Sequence, residues 1–190
     1  MHHAIEHVTA TELEHGLPIV LKSPRDMGRL EAIVIRPGSN ERRSPTSARL
    51  SPEGGLDGDR WATDAYYKKA NGKPDRRSQV SLMNARFLRQ VAGSEEAMSL
   101  AGDNLIIDLD LSDANVPAGT RLAVGSEVVI EVNDKSHTGC AKLSRRYGDE
   151  AKNFMNHESR KSLRLRGRFG SVVAGGTIQV GDVVRKLPMS

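Results

Sequence analysis

One cysteine in 190 residues and an aromatic content of only 4% are the first things this sequence withholds. A single thiol excludes an internal disulfide, and with a few scattered histidines it falls short of the cysteine–histidine cluster that a zinc site needs. Scarce aromatics leave few stacking platforms beside the basic segments, which argues against nucleic acid as the partner. No apolar run approaches the length that crosses a bilayer, so a spanning helix is excluded and no membrane partner is expected. The opening MHHAIEHVTATELEH carries acidic residues and lacks an apolar stretch with a small-residue cleavage site. It does not read as a secretory signal, and a reducing cytoplasm is the expected compartment. His2 and His3 are given no functional weight. Also missing are a GxGxxG leading from a strand into a helix and a phosphate-binding P-loop, so no nicotinamide, flavin or nucleotide motif is present.

What is there is a chain long enough for one well-cored domain, with a formal charge of +4. The surplus is concentrated in residues 68–77 (KKANGKPDRR) and 160–168 (RKSLRLRGR), which suits an anionic ligand such as a phosphate ester.

Residues 1–29 are expected to form an arm or a short preliminary element, residues 30–186 the domain, and residues 187–190 a tail. A β-branched run at 30–36 (LEAIVIR) predicts the first strand. Residues 37–60 hold Pro37, Gly38, Pro45, Pro52, Gly54, Gly55 and Gly58 and predict a long loop, of the kind that is functional or mobile. Strands are expected at 79–83, 105–109, 121–124 and 127–132, with helices at 84–92, capped by Asn84 and ended by Gly93, and from Ser94 to about Gly102. Leu143, Tyr147, Ala151, Phe154 and Met155 predict helix over 142–156. Short strands near 168–174, 177–180 and 182–186 close the chain, with Gly181 and Asp182 in a hairpin turn. Many short strands, glycine turns and a few helices predict a mostly β (α+β) fold, a barrel-like domain with peripheral helices.

Cys140 lies in KSHTGCAKLSRR, with His137 before it and Lys142, Arg145 and Arg146 after. Nearby cations stabilise a thiolate, the form that attacks electrophiles and binds metals. A free cysteine is equally at home as a small buried apolar side chain, and the local sequence leaves both readings open. His137 tunes the thiolate or shuttles a proton, or is a plain loop histidine. Asp103 accepts a substrate proton or is only a turn residue before a strand. Asp59 and Arg60 are expected to close a turn through a local ion pair. Arg164, Arg166 and Arg168 alternate, so on a strand they would point to one side, as a pocket wall or as a solvated face.

Four segments stand in order: GGLDGDR at 54–60, AGDNL at 101–105, HTGC at 137–140 and RGRFGSVVAGGTIQVGDVV at 166–184. Together they resemble the MOSC domain, the C-terminal domain of molybdenum-cofactor sulfurases, which also occurs as stand-alone bacterial proteins. The resemblance runs from about Leu30 to Lys186 and implies a β-barrel-like fold with peripheral helices. It implies that Cys140 carries sulfur as a persulfide or, as in amidoxime-reducing relatives, ligates molybdenum. It places Asn104 at the pterin of the molybdenum cofactor (molybdopterin), and puts Asp75, Arg76, Arg77 and Ser78 on the border of that pterin. A phosphate clamp is expected from at least one arginine among Arg76, Arg77, Arg164, Arg166 and Arg168, since guanidinium forks bind phosphate bidentately.

Two departures from the family stand out. Its cofactor-holding enzymes usually carry an N-terminal barrel domain with cationic contacts to the cofactor phosphate, and residues 1–28 are too few for one. Either this chain's basic segments, a second copy in a homodimer or a partner protein supplies those contacts, or the cofactor is not stably bound. Gly139 stands where proline is common, which predicts a freer loop. The leading expectation is an oxidoreductase module that reduces N-hydroxylated small molecules, as some stand-alone relatives do, with electrons from a separate redox protein. The alternatives are a sulfur carrier charged by a cysteine desulfurase for cofactor or metal–sulfur cluster assembly, and a non-catalytic anion-binding module.

Overall fold

In the computed structural model, which describes residues 7–64, 67–98 and 100–188, seven strands close into a barrel. They are β1 (Met27–Ile33), β4 (Val80–Asn84), β5 (Leu105–Asp108), β6 (Arg121–Val124), β7 (Val128–Val132), β8 (Arg168–Ala174) and β10 (Val183–Lys186). Around the barrel the order is β1-β10-β6-β7-β8-β4-β5. Outside it, β2 (Ser47–Ser51), β3 (Gly55–Leu56) and β9 (Gly176–Gln179) form a small sheet in the order β3-β2-β9. The mostly β barrel with peripheral helices expected from the sequence is the fold observed.

The chemistry of the strands explains the closure. Val128, Ile130 and Val132 alternate inward on β7 with the period of a pleated strand, and meet Leu82, Leu122, Val172 and Val184 in an apolar interior. Each such side chain contributes roughly 1.5–3 kcal/mol when fully buried. All barrel pairings are antiparallel except β4 with β5, and a parallel pair needs a long crossover. Helices α2 (Ala85–Ala92) and α3 (Glu95–Met98) provide it. Asn84 caps α2 by accepting from the Phe87 N–H at 3.0 Å, and Gly93, at φ 71°, ends it.

A second core lies outside the barrel wall. Phe87, Leu88 and Val91 of α2 pack with Leu143 and Tyr147 of α4 (Ala141–Tyr147), with Phe154 and Met155 of α5 (Asp149–Asn156), and with Leu13 of α1 (Ala10–Leu21). Four findings refine the sequence reading. The expected arm contains α1, whose start is a capping box: the Thr9 N–H donates to Glu12 and the Glu12 N–H to the Thr9 hydroxyl. The first strand begins at Met27 rather than Leu30 and ends before Val34. The loop at 37–60 holds β2 and β3, which are short enough to hide among its glycines and prolines. Helix over 142–156 is present but broken at Gly148, whose φ is 91°. Residues 1–6, with His2 and His3, and residues 189 and 190 of the tail lie outside the described residues. No helix among the described residues is long and apolar enough to cross a membrane.

Candidate functional site

Against the outside of the barrel wall, between β4, β8 and the segment joining β7 to α4, lies a cleft of about 770 Å³. Cys140 stands at its edge, exposed, as the N-cap residue of α4. Its loop is pinned: the Gly139 N–H donates to Asn156 Oδ1 at 2.8 Å, and Asn156 Nδ2 donates to the Gly139 carbonyl at 3.0 Å. The freer loop expected of glycine is therefore not found, and proline here would lack the N–H that Asn156 uses. Burial alone would raise the Cys140 thiol pKa. The backbone N–H groups of Leu143 and Lys142 and the charge of Arg166 outweigh it, so the thiol ionises more readily than an ordinary one.

His137 and Asp103 form the inner wall. The His137 ring packs on Phe169 with centroids 4.1 Å apart, and its Nε2 is 3.6 Å from Asp103 Oδ1, too far for a hydrogen bond. Burial, and then the charges of Arg166, Arg36 and Lys135, push the His137 pKa well below 6.5, so the ring is neutral at neutral pH. Asp103 Oδ2 accepts from Arg166 Nη1 at 2.6 Å. Asp103 Oδ1, His137 Nδ1, Arg166 Nε and Arg60 Nε are all sealed from solvent without a hydrogen-bond partner. Buried polar atoms are nearly always paired, so these four are free to accept or donate to a group in the cleft.

The charge has one sign. Arg36, Arg42, Arg60, Arg145, Arg146 and Arg166 line the cleft with Lys135 and Lys142, against one lining carboxylate, Asp103. Arg36, Arg42, Arg60, Lys135 and Phe169 carried no site signal in the sequence beyond their charge or ring, because four separate loops and strand ends bring them here. Arg36 at the end of the LEAIVIR run gave the best hint, since an arginine closing an apolar strand is costly to bury unless paired.

Other expected site residues lie elsewhere. Asn104 is fully buried and does not line the cleft. Its Oδ1 accepts from Arg36 Nη2 at 3.0 Å and from the Ser81 N–H and hydroxyl at 3.1 Å, and its Nδ2 donates to Asp59 at 3.0 Å and to the Val34 carbonyl at 3.2 Å. No edge of that amide is left for a pterin. Of the segment Asp75 to Ser78, Ser78 lines the cleft and the other three do not. Asp75 sits behind it, capping a 3-10 turn at Arg76–Ser78 and pairing with Arg77 at 3.1 Å and with the wall residue Lys135 at 3.2 Å. Burial opposes its ionisation, but those partners hold its pKa far below the carboxylate range. Arg76 donates to the Val172 carbonyl at 2.8 Å.

Arg166 and Arg168 do not share a face. Between them Gly167, at φ 101°, packs so close to β4 that a Cβ would stand 2.0 Å from the Leu82 carbonyl oxygen, and this kink breaks the strand alternation. Arg166 therefore enters the cleft, while Arg168 and Arg164 both turn to Asp113. Asp59 has the structural role expected of it with a different partner: it grips Arg36 at 2.8 and 2.9 Å, and Arg60 pairs with Asp64.

The site fits the cofactor that the family resemblance implies. Among the described residues no three His, Cys, Asp or Glu side chains gather as metal ligands, so a metal here would have to bring ligands of its own beside Cys140. A dithiolene-bearing pterin does so, thiolate is a fitting ligand for a thiophilic metal, and the cationic walls and unpaired polar atoms suit a phosphorylated heterocycle.

The sequence profile of the MOSC domain matches residues 69–185. Among solved structures the chain is similar to the YuaD protein of Bacillus subtilis, with 18% identity and a TM-score of 0.60 over 86% of this chain and 97% of that one. It is also similar to YiiM from Escherichia coli (18% identity, TM-score 0.55, 85% and 71% covered) and YiiM from Geobacillus stearothermophilus (14%, 0.54, 85% and 75%). At these identities the likeness is one of fold. No functionally curated protein matches the chain.

Proposed function

Because the chain belongs to the MOSC domain family, a family linked to the molybdenum cofactor, we propose that its cleft holds that cofactor with Cys140 as a metal ligand. On this reading the protein reduces N-hydroxylated compounds with electrons from a separate redox protein. The observation that carries it is the joining of an exposed, readily ionised thiol to a cationic cleft whose wall has unpaired polar atoms.

When bound, the cofactor supplies a metal that cycles through two-electron redox states with two sulfurs of its own. The chain's residues do the rest. Cys140 offers its thiolate from a loop that Asn156 fixes on both sides of one peptide. Ser78, Arg166 and Asp103 present donors and acceptors to the heterocycle's edge, and Asp103 holds the Arg166 guanidinium in place. Reduction of a hydroxylamine to an amine takes up two electrons and two protons and releases water. His137, neutral and with Nδ1 unpartnered, is placed to relay a proton to the departing hydroxyl, its ring plane set by Phe169. Asn104 and Asp75 act from behind the wall, as braces for Arg36 and Lys135, whereas Arg76, Arg77 and Arg168 find their partners away from the cleft lining.

A second reading is favoured by the exposure of Cys140: a partner's persulfide can reach it from solvent. In that case the Cys140 thiolate attacks the outer sulfur of a cysteine desulfurase persulfide, the desulfurase leaves as a thiolate, and Cys140 carries the sulfur onward. One substitution separates the readings. Protein with Cys140→Ser, purified from a host that makes the cofactor, is expected to lose reduction of an N-hydroxylated substrate while keeping appreciable pterin. A carrier would instead show, in the wild type, a mass gain of one sulfur atom from a desulfurase that is lost on reduction. If neither occurs, the chain is an anion-binding module.

A further inference from the structure

The positive charge of the cleft is not neutralised evenly. Arg36, Arg60 and Arg166 are each matched to a carboxylate, on Asp59, Asp64 and Asp103. Arg42 is not: its Nε donates to the Ala101 carbonyl at 3.2 Å and its Nη1 to the Glu41 carbonyl at 2.6 Å, both neutral acceptors. Arg146, half-buried in the same cleft, forms no ion pair or hydrogen bond among the described residues. Arg145 and Lys142 are also unpaired among these residues, but both are exposed and solvated.

These guanidinium groups converge on one corner. Arg42 holds the Ala101 carbonyl, and Arg36 Nη1 donates to the Gly102 carbonyl at 2.9 Å. Arg146 Nη1 and Arg166 Nη2 each lie 3.8 Å from where a Cβ on Gly102 would be. Burial, and then the charges of Arg146, Arg36 and Arg60, lower the pKa of Arg42. Gly102 leaves open the space between Arg146 and Arg166, and Arg166 Nε is itself unpaired.

We propose that the Ala101–Gly102 corner is a seat for a phosphate monoester, gripped by Arg42 and Arg146 with Arg36 and Arg166 behind it. Two unmatched guanidinium charges meet a group that carries nearly two negative charges at neutral pH, and its three oxygens accept from several forks at once. A carboxylate would satisfy only one of the two. The seat follows from this chain's own charges, while the owner of the phosphate rests on the cofactor reading: either the cofactor's own phosphate, or that of a phosphorylated substrate.

Calorimetric titration of inorganic phosphate into cofactor-free protein tests the seat. Wild type is expected to bind one phosphate per chain at low salt, with Arg42→Gln and Arg146→Gln each at least tenfold weaker and Cys140→Ser unchanged. Gly102→Asp, which puts a carboxylate between the guanidinium groups, is expected to abolish binding without lowering the melting temperature, so that the test survives if an arginine variant folds poorly. Absence of saturable binding, or equal affinity in all variants, overturns the proposal even if the wild type carries pterin. Phosphate binding as described in a protein that never acquires pterin keeps the seat and defeats the cofactor reading. Pterin content of the Arg42→Gln/Arg146→Gln double variant assigns the owner: loss means the cofactor's phosphate, retention a substrate's.

Discussion

Two polar clusters meet at the edge of the cleft, and adjacent residues belong to opposite ones. Asn104 joins Arg36, Asp59 and Ser81 in a network in which the side chains all find partners. Asp103 joins Arg166 and His137 in a group that leaves an oxygen and two nitrogens buried and unpaired. The chain bends at Asn104 just before β5, and Asn104 turns into the wall while Asp103 lines the cleft. A buried cluster complete in itself is scaffold. One left open forfeits roughly 1–3 kcal/mol per unmet group, which a ligand can restore. Incomplete hydrogen bonding, more than polarity or burial, separates the site from its support.

The comparison breaks most visibly at Asp59. Asp59→Ala leaves the Arg36 guanidinium buried and unpaired, and is expected to cost about 3–5 kcal/mol, a fall in melting temperature on the order of 10 °C. Asn104→Leu removes the central amide from the same network and should cost about 2–3 kcal/mol in chemical denaturation. If Asn104→Leu were as stable as wild type and lost only pterin, Asn104 would belong to the site after all.

His137→Phe probes the open cluster. It deletes an unpaired nitrogen and keeps the ring against Phe169, so stability at pH 7.5 should stay within about 1 kcal/mol of wild type or rise, while reduction of the substrate falls. The pH dependence has a definite sign. The folded His137 stays neutral well below pH 6.5, whereas the unfolded chain takes up its proton near 6.5. Wild-type stability therefore declines as pH falls below that value, by up to about 1.4 kcal/mol per pH unit from this residue. His137→Phe should flatten the profile between roughly pH 6.5 and 5, read from denaturation midpoints. The smallest effect is at the rim: Cys140→Ser should alter stability by less than about 0.5 kcal/mol.

The barrel was legible in the sequence because its strands announce themselves. β-branched runs bounded by glycine gave β5, β6, β7 and β8 nearly residue for residue, and Asn84 and Gly93 bracketed α2. Helix α1 was obscured because Gly16 and Pro18 lie inside it and read as breakers, although Thr9 and Glu12 form a capping box. β2 and β3 were obscured because their pairing with β9 is long-range. For the site, the segment around Cys140 pointed to His137, while Asp103 and Arg166 came from the separate segments AGDNL and RGRFG. None of them could tell that Arg36 and Arg42 arrive from a loop a hundred residues earlier, or that a positive φ at Gly167 parts Arg166 from Arg168. Local pattern carries strands and caps; it carries no information on which polar atoms end up without partners.

The central claim is that the cleft beneath Cys140 holds the molybdenum cofactor. Its most direct test is the molybdenum and pterin content of the wild-type protein purified from a host that makes the cofactor. The account predicts close to one of each per chain, with molybdenum reduced and pterin largely kept in Cys140→Ser. A wild-type protein with neither molybdenum nor pterin, from a host in which other molybdenum enzymes are loaded, would contradict it.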